Sequence, residues 1–198
     1  MISSARLNPS DVGTNAWEIR RVVFIERQTL SEVMSLQFGP AATSERIVYG
    51  ARRPCHPRLA PSEETITDWI DAVEPEGIER VCCLLDEQQR QNVANLLNQY
   101  RDRFGENSVC HAPIPDFTAV DRRTFHEQIL PFLDRADADT APVVVHCSAG
   151  SGRTGHVLAL WLSCRRGYDL HDAVETVESM GRNPPEAATP SELEALTR

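Results

Sequence analysis

Cys147 stands at the end of an apolar run, and Arg153 follows it across a short loop, within the stretch VVVHCSAGSGRTG. The valines read as a buried strand, and Arg153 to Gly155 as the opening of the next helix. Between them Gly150 and Gly152 are free to adopt positive φ, so the loop Ser148, Ala149, Gly150, Ser151, Gly152, Arg153 can curl with successive backbone N–H groups aimed at one centre. Such a cradle at the positive end of a helix dipole suits a tetrahedral phosphate. A thiol at its mouth feels the same field and is expected to be thiolate at neutral pH, hence a nucleophile already in place. The planar guanidinium of Arg153 would close the cradle by gripping two phosphate oxygens, a geometry that lysine does not copy.

His146, Cys147, Arg153 and Thr154 together match HCxxxxxR(S/T), and the stretch resembles the signature of the protein tyrosine phosphatases and dual-specificity phosphatases. Residue type, spacing and the strand-loop-helix context all agree. The resemblance implies a second group, an acid that protonates the leaving oxygen. Asp116 in PIPDFTAVD is the first candidate, because small dual-specificity phosphatases carry a similar IPDF segment with the aspartate in that role; Asp121 and then Asp86 are the alternatives. The implied chemistry has two steps, attack by Cys147 with proton donation from Asp116 and then hydrolysis of the phosphocysteine. Thr154 would hydrogen-bond the sulfur, and His146 would orient the loop without shuttling protons. No metal or other cofactor is required, since the amide cradle and Arg153 supply the charge stabilisation. A weaker echo, GRNPPEA over 181–187, suggests Arg182 and Asn183 at the substrate entrance, or merely a helix stop made by Asn183 and two prolines.

The elements that must position these residues follow an α/β pattern. From about residue 62 the chain reads as helix 62–74, strand 79–85, helix 87–103, strand 108–112, helix 120–135, strand 142–146 and helix 153–165, with two further helices at 169–181 and 190–197. Ser62 is expected to cap the first helix. Apolar runs such as VCCLL and VVV are too continuous for a half-exposed strand and fit a mostly parallel central sheet flanked by helices on both faces, the cysteine phosphatase fold by resemblance. Residues 1–60 are expected to form an N-terminal extension packing on a catalytic core of residues 61–198, in one compact domain. Within the extension, Val22–Ile25 and Ile47–Tyr49 read as strands and Thr29–Gln37 as a short helix.

Composition narrows the function. The net charge of -9, from 29 acidic and 20 basic residues, disfavours a sequence-independent grip on nucleic acid or on an anionic membrane. Every basic residue is arginine, which a GC-rich coding sequence or adaptation to high salt would explain. No apolar stretch reads as a signal or a membrane span, so a cytoplasmic location with free thiols is expected. Cys82 or Cys83 is a candidate to trap an oxidised Cys147. A nucleotide-binding P-loop is excluded by the absence of GxxxxGK(S/T), and a rhodanese-like sulfur transferase would not end its cysteine loop in RTG. The loop interior SAGSG lacks the lysines found in relatives that act on polyphosphoinositides. The expected partner is a phosphorylated protein or peptide, carrying phosphotyrosine and in addition phosphoserine or phosphothreonine; the alternative is a phosphate-binding module without turnover.

Overall fold

The computed structural model describes residues 36–58, 62–93 and 95–197. The strand expected at Val22–Ile25 lies outside them, as does most of the helix expected at Thr29–Gln37, whose last two residues lie in a turn. Five strands, β1 (Gly39–Pro40), β2 (Val48–Arg52), β3 (Arg80–Cys83), β4 (Val109–His111) and β5 (Val143–Cys147), form one sheet in the order β1-β2-β5-β3-β4. All neighbours are parallel except the edge pair β1 and β2. Seven helices matter here: α1 (Glu63–Val73), α2 (Glu87–Gln91), α3 (Leu96–Phe104), α4 (Leu130–Asp139), α5 (Gly152–Arg166), α6 (Leu170–Ser179) and α7 (Pro190–Leu196).

The uninterrupted valines of β5 are explained by cover on both faces. Val143, Val145 and Cys147 pack with α4 and α5, while Val144 packs with Trp69 and Tyr100 of α1 and α3. Every residue of β5 is buried. Helix α5 is buried continuously from Gly152 to Leu162, so it is covered on all sides and runs through the centre of one layer. β2 pairs in register with the whole of β5, from Val48 beside Val143 to Arg52 beside Cys147, so this part of the first sixty residues is built into the sheet next to the cysteine strand.

Helix α1 begins where Ser62 accepts a hydrogen bond from the Thr65 amide at 3.3 Å, the expected cap. The helix expected over 87–103 is instead two helices, α2 and α3. Asn95 takes φ of 62°, a left-handed conformation that interrupts the helical backbone ladder. This break leaves α2 as a short separate element at the carboxyl edge of β3. In a parallel sheet that edge is where ligands gather, and the segments after β3, β4 and β5 all arrive there.

Candidate active site

Cys147 is the last residue of β5 and is 2 % exposed, at the base of a pocket of about 170 Å³. His56, Asp116, Phe117, Arg153, Glu186 and Ala187 line its walls and mouth. The loop after Cys147 turns back on the sulfur, and the Gly150 N–H donates to Sγ at 3.3 Å. Gly150 has φ of 73°, and a Cβ there would lie 2.6 Å from the Ala51 carbonyl oxygen of β2, so both the turn and the close approach require glycine. Helix α5 starts at Gly152 with no side chain capping it. The Ser151 hydroxyl turns away and donates to Glu186 Oε2 at 2.7 Å. An uncapped helix start beside a buried sulfur is an anion site in form.

Arg153 is buried and sits in a closed ring of polar contacts. Its Nη1 donates to Gln89 Oε1 at 2.8 Å and to the Ile114 carbonyl at 2.9 Å. Its Nη2 lies 2.8 Å from Asp116 Oδ1. Gln89 Nε2 completes the ring by donating to Asp116 Oδ2 at 3.0 Å. Asp116 reaches this position because the chain beyond β4 continues along β3, with the Ala112 and Ile114 amides donating to the Cys83 and Leu84 carbonyls. It then turns sharply, with the Thr118 N–H donating to the Pro115 carbonyl and Phe117 at φ of 56°. The turn leaves Phe117 68 % exposed at the pocket mouth.

His146 points to the opposite face of the sheet from Cys147. Its ring is fully buried against Trp69 and Tyr100 at centroid distances of 5.5 and 5.7 Å. Burial pushes its pKa down to about 4, so the imidazole is neutral at neutral pH. With Nδ1 3.2 Å from the Cys147 carbonyl oxygen and Nε2 3.2 Å from the Tyr100 hydroxyl, Nδ1 must donate and Nε2 accept. Thr154 is buried, and among the described residues its hydroxyl makes no hydrogen bond to a protein group. The backbone amide of Arg53 donates to the Ser148 carbonyl at 3.2 Å, fastening the loop to the chain after β2.

The structure therefore gathers Cys147, Arg153, Asp116 and the Ser148–Gly152 loop into one pocket. The other acid candidates serve elsewhere: Asp121 caps the helical turn before α4, accepting from the Thr124 amide at 2.9 Å, and Asp86 caps α2, accepting from the Gln89 amide at 2.7 Å. Arg182 is not at the entrance. It is buried behind the loop, where Nη1 donates to the Gly150 carbonyl at 2.6 Å. From the GRNPPEA segment it is Glu186 and Ala187 that reach the pocket. The reading of the sequence missed Gln89 and also His156, whose Nε2 accepts from the Val120 amide at 3.2 Å and ties the Asp116 loop to α5. Gln89 lies just past the carboxyl end of β3, and its position at that edge is the signal that would have marked it.

A family described as "Polymorphic toxin system, DSP-PTPase phosphatase" matches residues 59–167, more than half of the chain. The dual specificity protein phosphatase OPG106 of vaccinia virus (strain Western Reserve) is 33% identical over 63 residues, 32% of this chain and 37% of the viral protein. The matched stretch is thus well under half of that relative. The crystal structure of Tk-PTP in its active form superposes with a TM-score of 0.58 at 26% identity, covering 79% of this chain and 93% of that one. PTPMT1 shares the fold, with a TM-score of 0.58 at 17% identity over 81% of this chain and 91% of its own. Among the described residues no helix is long and apolar enough to cross a membrane.

Proposed function

This chain belongs to the polymorphic-toxin-system DSP-PTPase phosphatase family, and from that premise we propose that it hydrolyses phosphotyrosine in proteins through a phosphocysteine intermediate. The observation that carries the reading is the convergence, in one small pocket, of a buried thiol facing a backbone amide with the guanidinium that closes the same loop and a carboxylate from a distant segment. Phosphate enters against the uncapped start of α5, and Arg153 grips two of its oxygens after leaving Asp116. Cys147 Sγ attacks phosphorus in line and forms the S–P bond as the bond to the phenolic oxygen breaks. Asp116 gives its proton to that oxygen. Water then attacks phosphorus, Asp116 takes a proton from it, the S–P bond breaks and inorganic phosphate departs.

Each remaining residue has a place in this scheme. The Ser148–Gly152 backbone presents donors to the equatorial oxygens, the Thr154 hydroxyl serves the departing sulfur, and neutral His146 holds the Cys147 carbonyl. The depth of the sulfur supports an aryl phosphate: at 2 % exposure Cys147 is reached more easily by a phosphate carried on a phenyl ring than by one on a short serine side chain. No step calls for a metal.

The test is turnover of paired phosphotyrosine and phosphoserine peptides without added metal by wild type and Cys147→Ser. Hydrolysis of the phosphotyrosine peptide that disappears in Cys147→Ser is expected. Tight peptide binding with no turnover by wild type would make the pocket a phosphate-recognition module and end the hydrolase reading.

A further inference from the structure

Arg182 is 5 % exposed and spends its guanidinium on backbone carbonyls. Nη1 donates to the Gly150 carbonyl at 2.6 Å, and Nη2 donates to those of Gln37 at 2.6 Å and Gly50 at 2.7 Å. No carboxylate pairs with it among the described residues. Arg153 differs in having Asp116, and Arg166 in having Glu45 and Asp137. A buried charge without a counter-ion is costly, and neutral amides could satisfy carbonyls more cheaply. The arrangement calls for an anion nearby, and the hydrogen bonds lead to Cys147: the Gly150 peptide whose carbonyl Arg182 holds turns its N–H to Cys147 Sγ at 3.3 Å.

We propose that Arg182 is a positioning residue for Cys147: it fixes the Gly150 carbonyl, and so the Gly150 N–H that faces the sulfur, while its charge behind the loop favours the thiolate. The inference rests on the reading of Cys147 as the nucleophile. A glycine leaves room for the Arg182 guanidinium. A Cβ on Gly50 of β2 would lie 2.9 Å from Arg182 Nη2 and equally close to Leu158 and Thr154, so the guanidinium occupies space that any side chain at position 50 would take. Burial pushes the guanidinium down to about 10, which leaves it charged at neutral pH.

The other groups around the sulfur are placed differently: Arg53, also buried, donates to the Ser148 hydroxyl and to the Pro54 and Arg58 carbonyls and makes no contact with the Gly150 peptide among the described residues. Arg153 is engaged by Asp116, and Glu186 accepts from Ser151. Arg52, in register with Cys147 on β2, is only half-buried and is screened by water. His56 lines the pocket, and burial first, then Arg53 and Arg52, hold its pKa below the usual histidine value, so it brings little charge at neutral pH. His146 is turned toward Tyr100, and burial raises the Cys83 thiol to about 12, leaving it protonated.

The experiment follows alkylation of Cys147 by iodoacetamide across pH, with the modified peptide identified by mass spectrometry, in wild type, Arg182→Lys and Arg182→Gln. Arg182→Gln is expected to move the midpoint of the rate profile upward by about one pH unit, or about tenfold slower alkylation below it. Arg182→Lys, which keeps the charge but cannot span the same carbonyls, is expected between the two. A wild-type midpoint in Arg182→Gln overturns the proposal, as does an equal shift in both variants, since packing alone would then explain it. Should Arg182→Gln fail to give a folded circular dichroism spectrum, a wild-type midpoint in Arg182→Lys overturns it instead. The measurement needs no substrate: if wild type hydrolyses no phosphoester while the midpoints move in this order, the phosphatase reading falls and the role of Arg182 stands.

Discussion

Asp116→Asn removes the proposed proton donor and an anion in one substitution, and the ring around Arg153 sets opposite consequences for turnover and for oxyanion binding. Asp116 Oδ1 lies 2.8 Å from Arg153 Nη2, where a phosphate oxygen would have to go. Binding must therefore break this ion pair. The arginine side chain is 2 % exposed but the aspartate 45 %, so water screens the pair, and it is worth about 1 kcal/mol, the upper end for exposed pairs. Removing the competing charge should tighten binding of phosphate or vanadate about fivefold. Turnover moves the other way. Without a proton for the leaving group, kcat on a phosphotyrosine peptide is expected to fall by roughly 10² to 10⁴. On nitrophenyl phosphate, whose leaving group is acidic enough to depart as the anion, the loss should be much smaller. Steady-state kcat on both substrates and the vanadate inhibition constant test all three statements. Equal losses on the two substrates would refute the proton-donor role, and vanadate binding that stays the same or weakens would refute the competition.

At Gly150, alanine faces a left-handed φ of 73° and a backbone oxygen 2.6 Å from its Cβ, which no rotamer can relieve. Gly150→Ala is expected to lower the urea unfolding free energy by more than about 2 kcal/mol and to abolish turnover, whereas Gly152→Ala, whose Cβ meets the Ala187 side chain at 3.0 Å, costs less; equal unfolding midpoints would contradict this. Burial, joined for His156 by the charge of Arg153, holds the pKa of His146 at about 4 and of His156 at about 3, below the unfolded value of about 6.5. Above pH ~6.5 neither histidine affects stability; as pH falls below it, only the unfolded chain gains protons, so each costs up to about 1.4 kcal/mol per pH unit until its folded pKa is reached. His156→Asn should accordingly flatten the decline in urea stability between pH ~4.5 and ~6 by about one proton's worth, and a slope identical to wild type would sink the assignment.

Much of the frame was legible because each element carried a local signature. The valines of β5, doubly covered, have no polar alternation, and this continuity marks a central parallel strand. Ser62 could be read as a cap from its own type and its place before an amphipathic run. Where the reading failed, one residue's backbone outweighed the pattern of its neighbours. Helical periodicity continues through 87–103, yet Asn95 sits at φ of 62° and divides the segment. The two-residue strand β1 carries no pattern long enough to detect, and it is held by pairing with Tyr49 and Gly50 across a turn.

The site was legible in a different way. HCxxxxxR(S/T) is one contiguous segment, so its spacing is set by the chain itself; Gln89 and Arg182 come from distant segments, and their contacts depend on packing that sequence alone does not order. The choice among acids shows what coordinates add. Asp86, Asp116 and Asp121 are all aspartates near the carboxyl ends of β3 and β4, and any of them suits a proton donor by type. Asp86 and Asp121 each accept a backbone amide at the start of a helix, a duty that turns the carboxylate toward its own main chain. For Asp121 the Thr124 hydroxyl and amide also depress the pKa. A group so engaged is a poor reservoir for a proton. Among the described residues Asp116 caps no helix, and its two oxygens meet the side chains of Arg153 and Gln89. In the proposed mechanism, phosphate entering the cradle takes over the guanidinium that now holds Asp116. The carboxyl released in this way, lining the pocket and bound to no main chain among the described residues, is the one free to meet the leaving oxygen.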